Sequence, residues 1–332
     1  VAGIPFFSDT SNGSIYTHDV SGTDSTAEGN VAYGLQALDA VTTGDYNTAI
    51  GYQALSAQSE GEGNVAVGQA ALLANTTAGN NLAVGKSCLL ANTTGTRNIG
   101  IGNRTNDQAD TENDNLAIGY ESMTGAVAGG EYNVAIGNYT LDALTSADYN
   151  TAVGYEAGTA VTTGGGNVHV GYAAGASRTE GGDSVFIGYR AGHGCTTGAD
   201  IIFIGKNAGD GHDTEANNLG IGTNALGGSI AGGEKNVMIG NNAGDAITSG
   251  DSNTGVGYNT QTNITTGANN TSLGDDAMND IDTGSGNVNI GDGTGNGANT
   301  NHSIVIGQSA QGKGSNTGFI SPNGGAVYQG NN

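Results

Sequence analysis

The pentad Asn-x-Ala-Val/Ile-Gly recurs along this chain on a 17-residue clock, and a clock that short leaves few folds open. Its closing glycines run from Gly34 and Gly51 to Gly291 and Gly307; of the 16 intervals between them, 13 are 17 residues, two are 18 and one is 16. Seventeen residues cannot bury a core alone. Stacked on its neighbours, such a unit is one coil of a solenoid. The period predicts an all-β, repetitive parallel β-solenoid of about 17 coils over residues 30–311. Residues 1–29 form a lead-in, cap or joining segment, and 312–332 a C-terminal capping tail. At about 4.8 Å per coil the repeat region would span roughly 80 Å.

Aligning the coils on the closing glycine gives a cross-section. One residue before it, 16 of 17 coils carry Ile, Val or Leu, the exception being Tyr33; three before it, every coil carries Val, Ile, Leu or Thr. These alternate with a smaller residue, the pattern of a strand with one apolar face. Three residues after the glycine stands Ala, Ser, Thr or Cys, often followed by Leu, Met or Gly, as in Ala54-Leu55 and Ala157-Gly158. Turn sequences such as Thr42-Thr43-Gly44-Asp45 complete the coil. The β-branched row is expected to face the core. The small row two before the glycine, which enlarges to His169, Phe186, Phe203 and Met238, is then the candidate interface between chains. The pentad opens with Asn in 14 of 17 coils; Asn47, Asn64, Asn81, Asn98 and Asn115 are expected to stack as a structural ladder. Two 18-residue intervals carry matching insertions, Ala128-Gly129-Gly130-Glu131 and Ala231-Gly232-Gly233-Glu234, 103 residues apart, which points to duplication of a six-coil block.

Eight Lys and Arg against 31 Asp and Glu leave a net charge of −23, which argues against nucleic acid and anionic surfaces as partners. No apolar run reaches the roughly 18 residues of a membrane span, so no membrane insertion is expected. Cys88 and Cys195 lie six coils apart, about 30 Å, too far for a disulfide within one chain, and read as small core residues. The apolar start of the chain, with Ile4, Phe6 and Phe7, is the candidate for joining another subunit.

The pentads Asn47-Thr48-Ala49-Ile50-Gly51, Asn64-Val65-Ala66-Val67-Gly68 and Asn133-Val134-Ala135-Ile136-Gly137 resemble the head repeat of trimeric autotransporter adhesins, and in longer Thr-Thr-Gly-containing form that of bacteriophage tail fibres and tailspikes. The resemblance covers about residues 30–311 and implies a left-handed parallel β-roll, three chains around one axis. No sustained heptads of an adhesin stalk occur here. The ending from Ser321 to Asn332 resembles the stretch before the self-cleaving chaperone of phage fibres.

Catalytic chemistry is hard to place. The five histidines form no metal-spaced pair, and Gly85-Lys86-Ser87 lacks the first glycine of a P-loop, finding Asn80 there. Acidic turns (Asp107, Asp110, Glu112, Asp114; Asp210, Asp213, Glu215 with His212) and tyrosines after the repeat glycines (Tyr52, Tyr120, Tyr155, Tyr172, Tyr189, Tyr258) read as solvated turns and a surface ladder. The sequence therefore predicts a non-enzymatic, extracellular homotrimer without metal or cofactor. It would be the shaft of a virion tail fibre, joined to other fibre proteins at its N-terminal end and projecting an element that binds a host receptor. A bacterial surface adhesin head and a self-assembling extracellular filament are the alternatives.

Overall fold

The computed structural model describes residues 7–9, 14–16, 26–126, 128–229 and 231–321, in two compact units, Val1–Gly166 and Asn167–Asn332. In the first unit, β1 (Phe7–Asp9) pairs antiparallel with β2 (Ser14–Tyr16). From β2 the pairing is parallel, through β3 (Val31–Tyr33) to β10 (Thr151–Val153). The second unit runs parallel from β11 (Val168–Val170) to β19 (Ile304–Ile306) and β20 (Gly318–Ile320). Each three-residue strand lies on its equivalent one period later, so Val65, Ala66 and Val67 face Leu82, Ala83 and Val84. The ladder continues past the pentads, with Tyr16 opposite Ala32 at one end and Phe319 opposite Val305 at the other. Each unit is a parallel β-solenoid.

The glycine clock has a steric cause. Gly51 sits at φ 134°, and a Cβ there would lie 2.5 Å from the carbonyl oxygen of Gly68 in the next coil. Only glycine permits both the backbone angle and the stacking distance. The rest of the corner is left-handed as well: in one coil Ser87, Leu89 and Arg97 have φ of 53°, 51° and 59°. Leucine in that region costs roughly 1–2 kcal/mol, which burial of the side chain offsets. Corner amides are bonded coil to coil, as where the Leu72 N–H donates to the Cys88 carbonyl (3.0 Å).

The strands face the opposite way from the sequence expectation. Ala49, Ala66, Ala83 and Ala135 at the strand centres are fully buried, while the flanking β-branched residues are half-buried or exposed. The coil is thin. Its strand packs directly on the wall formed three and four residues after the glycine, where Ala37-Leu38, Ala54-Leu55 and Ala71-Leu72 are all buried. A leucine from that wall leaves room for only a methyl from the strand, so the bulkier row points outward. Small residues here mark close approach of two walls of one coil, not of two chains.

Candidate functional site

The pentad asparagines act as staples between coils. The backbone N–H of Asn64 donates to Asn47 Oδ1 (2.9 Å), that of Asn81 to Asn64 (3.0 Å), Asn98 to Asn81 (2.8 Å) and Asn115 to Asn98 (3.0 Å). Each side-chain Nδ2 also donates to a carbonyl of the turn entering the next coil, Asn47 to Gly61 (2.9 Å) and Asn98 to Glu112 (2.6 Å). One side chain thus satisfies two buried backbone groups that the sharp corner would otherwise orphan.

In the second unit the staple changes at Ser184 and Ile201. Arg178, fully buried, enters there: Nε donates to Asn167 Oδ1 (3.2 Å) and the Gly181 carbonyl (2.8 Å), and Nη2 to Ser184 Oγ (2.9 Å) and the Gly182 carbonyl (3.1 Å). Its guanidinium also lies 5.2 Å from the Phe186 ring centroid. Burial lowers its pKa to about 10, still charged at neutral pH.

His169, Phe186, Phe203 and Met238 have no exposed surface in the single chain, which corrects their assignment as an interface between chains. They fill the core of their own coils. Phe186 and Phe203 stack with centroids 5.8 Å apart, the His169 ring lies 5.5 Å from Phe186, and the His212 ring meets Phe203 edge-on at 4.5 Å. Desolvation lowers both histidines to about 3 and raises the thiols of Cys88 and Cys195 to about 12, so at neutral pH the imidazoles are uncharged and the cysteines are not thiolates. Of the joining set, Ile4, Phe6 and the Phe7 side chain lie outside the described residues.

The acidic turns are largely structural. Glu112 is buried; Oε2 accepts from the N–H groups of Asp110 (2.8 Å) and Thr111 (3.1 Å), and Oε1 from Gly129 in the inserted loop (2.9 Å). Glu215, 103 residues on, repeats this with Asp213 (3.0 Å) and Gly232 (2.9 Å). Each extra residue is clamped by a buried carboxylate of the preceding coil. Asp107 and Asp114 pair with Arg104 (3.1 Å) and Arg97 (2.6 Å), and Asp210 with Arg190 (3.3 Å). Among the described residues no three His, Cys, Asp or Glu side chains converge closely enough to hold a metal ion.

What remains for function is surface. In each unit the strands present outward columns of Ile, Val, Leu and Thr, with Ile50, Ile101, Ile187, Ile202 and Leu273 exposed. From β3 to β19 no strand contains Asp, Glu, Lys or Arg, although the chain carries −23. Exposed tyrosines stand just beyond the strands, including Tyr52, Tyr120 and Tyr155 in the first unit and Tyr172, Tyr189 and Tyr258 in the second. Alternation in the sequence locates two faces of each strand but does not say which is inside. The inside was readable from volume: Leu stands four after the glycine in five of the seven coils whose strand centre is Ala, and Gly in both whose centre is Phe.

A scan against known family models returned no match, and a search of curated proteins returned none. No helix among the described residues is long and apolar enough to cross a membrane. By its fold the chain belongs to the β-solenoid repeat proteins.

Proposed function

We propose that this chain is a non-catalytic structural shaft of a phage tail fibre, extracellular and homotrimeric, which projects a host-receptor-binding element. The observation that carries the assembly is the outward strand face: uncharged, β-branched and exposed in an otherwise strongly acidic chain. A contiguous apolar surface of that kind marks an interface. Three copies placing it around one axis would bury it while the acidic corners stay in water. The choice of a tail fibre over an adhesin rests on the resemblance of the Thr-Thr-Gly-containing repeats to those of phage fibres.

Light scattering on the full chain tests the assembly. Three chains of 32.7 kDa give about 98 kDa, and Ile101→Lys with Ile187→Lys should reduce the particle to a single chain. A 32.7-kDa species for the unaltered protein rejects the trimer, and continuous growth with concentration favours a filament. Antibodies against the chain should decorate virions; decoration of a cell envelope instead assigns it to a surface adhesin.

A further inference from the structure

In the first unit three tyrosines step along consecutive coils at the corner that follows the outward strand. The Tyr120 and Tyr139 rings meet edge-to-face with centroids 5.6 Å apart, and Tyr139 and Tyr155 do the same at 5.7 Å. Tyr120 and Tyr155 are exposed, and Tyr139 is half-buried between them. Carboxylates line this corner. Glu121 raises the pKa of the neighbouring Tyr120 hydroxyl and pairs with Arg104 (2.8 Å). Asp142 is bonded to Thr159 and burial raises its pKa, while Glu156, next to Tyr155, donates its N–H to the Asn138 carbonyl beside Tyr139 (3.1 Å).

The duplicated block shows what this corner looks like as plain scaffold. One hundred and three residues on, Tyr120, Glu121, Tyr139 and Glu156 are replaced by Thr223, Asn224, Asn242 and Asn259, while Asp142 and Tyr155 persist as Asp245 and Tyr258. There the amides bond to one another, Asn207 to Asn224 (3.4 Å), Asn224 to Asn242 (3.1 Å) and Asn242 to Asn259 (3.0 Å). The scaffold thus has a self-satisfied solution for these positions. In the first unit the same positions carry exposed or half-buried rings and half-buried carboxylates.

We propose that Tyr120, Tyr139 and Tyr155, with Glu121 and Glu156, form a binding platform for a neutral glycan. A tyrosine offers an apolar ring face and a polar tip, which suits the C–H face and hydroxyl rim of a sugar ring. The carboxylates accept hydrogen bonds from sugar hydroxyls, and charge-assisted bonds are the stronger kind. The same carboxylates and the −23 net charge repel sialylated, sulfated or phosphorylated chains. No acidic triplet among the described residues converges on a cation, so metal binding does not account for the cluster.

A glycan array carrying neutral, sialylated and sulfated chains, probed with the full-length protein, tests this directly. Retention on neutral glycans is expected. The best neutral ligand is then titrated by tyrosine fluorescence, which the absence of tryptophan leaves unmasked. Tyr139→Ala should weaken binding about tenfold, and Tyr258→Ala should leave it unchanged, both melting as the parent does. Should Tyr139→Ala melt early, Glu156→Gln, which keeps every ring, must still weaken binding. No retention on any glycan, preference for acidic glycans, or equal affinity of the Tyr139 and Tyr258 variants overturns the assignment.

Discussion

Two runs of coils, one in each unit, fill the same thin cross-section from opposite walls. In the first, the strand contributes Ala32, Ala49, Ala66 and Ala83, and the far wall contributes Leu38, Leu55, Leu72 and Leu89. In the second, the strand contributes His169, Phe186 and Phe203, and the far wall has Gly175, Gly192 and Gly209. A Cβ at Gly192 would lie 2.6 Å from Phe186, and one at Gly209 would enter the Phe203 ring. Met238 and Gly244 repeat the exchange: a Cβ at Gly244 would lie 2.7 Å from Met238 Cγ. Even the next coil adjusts: a Cβ at Gly255 would lie 2.7 Å from Met238 Sδ. The backbone fixes the cross-section, and sequence chooses only which side supplies the volume.

That exchange is the easiest comparison to break. Phe203→Ala empties a fully buried aromatic site and should cost about 3–5 kcal/mol, read by denaturant unfolding. Adding Gly209→Leu should recover much of the loss. Leucine already occupies this register at Leu226, at φ 52°, so the backbone accepts it. Gly209→Leu alone should destabilise, because Phe203 still occupies the space. If the double variant is no more stable than Phe203→Ala, the two walls are not exchanging volume.

Acid should separate the units next. His169 and His212 are buried and neutral in the second unit, with pKa values near 3 against an ordinary value of 6.5. Between these limits the unfolded chain binds the protons first. Their contribution is full above pH 6.5, falls by about 1.4 kcal/mol per pH unit for each group, and is gone below about 3. No histidine stands between residues 26 and 166 in the first unit. Hydrogen exchange at pH 5 should show the coils around Phe186 and Phe203 opening ahead of the leucine-filled coils, and His169→Phe should narrow the gap. Equal protection in both would count against the buried imidazoles as the cause.

The asparagine row offers a smaller contrast. In the first unit it is continuous from Asn30 to Asn150, whereas in the second it passes through Ser184 and Ile201, where Arg178 takes over part of its work. Asn98→Ala should cost about 1–3 kcal/mol, since it leaves the Asn115 N–H and the Glu112 carbonyl without their partner. Asn167→Ala should cost more than Asn98→Ala, because the Arg178 guanidinium loses an acceptor in a site that contains no carboxylate. Paired melts of the two variants decide it.

Period, coil length and the glycine column were legible in the sequence because they are local: stacked glycines admit no side chain, so they recur without exception. Strand orientation was not. Both faces of Val65-Ala66-Val67 are uncharged, and alternation alone gives no sign to the inside. The sign lay in a covariation at distance six, Ala66 with Leu72 and Phe186 with Gly192, which reading single columns misses. The insertion clamps were half visible: Asp110-Thr111-Glu112 and Asp213-Thr214-Glu215 precede the two insertions, yet look like solvated turns until the fold buries the glutamates. The tyrosine platform needs Tyr139, one register away from its neighbours, so a column of residues after the glycine could not include it.

Those clamps carry the finest test of the comparison, because the two units share them. Glu112 and Glu215 hold Gly129 and Gly232, whose φ of 109° and 104° no neighbouring residue dictates, since a Cβ at either would touch nothing within 4 Å. The Glu112 carboxylate holds its loop together with the bonds from the Ala128 N–H to the Thr145 carbonyl (2.6 Å) and from the Glu131 N–H to Asp148 Oδ1 (2.8 Å). Glu112→Gln retains one acceptor oxygen but turns the other into a donor facing backbone N–H groups. The expected cost is about 1–2 kcal/mol, with faster amide exchange confined to residues 128–131. Glu215→Gln, with fewer backbone donors on its carboxylate, should show the smaller effect, at 231–234. Loss of protection across the whole unit would mean that the carboxylate supports the stack of coils rather than the inserted residue.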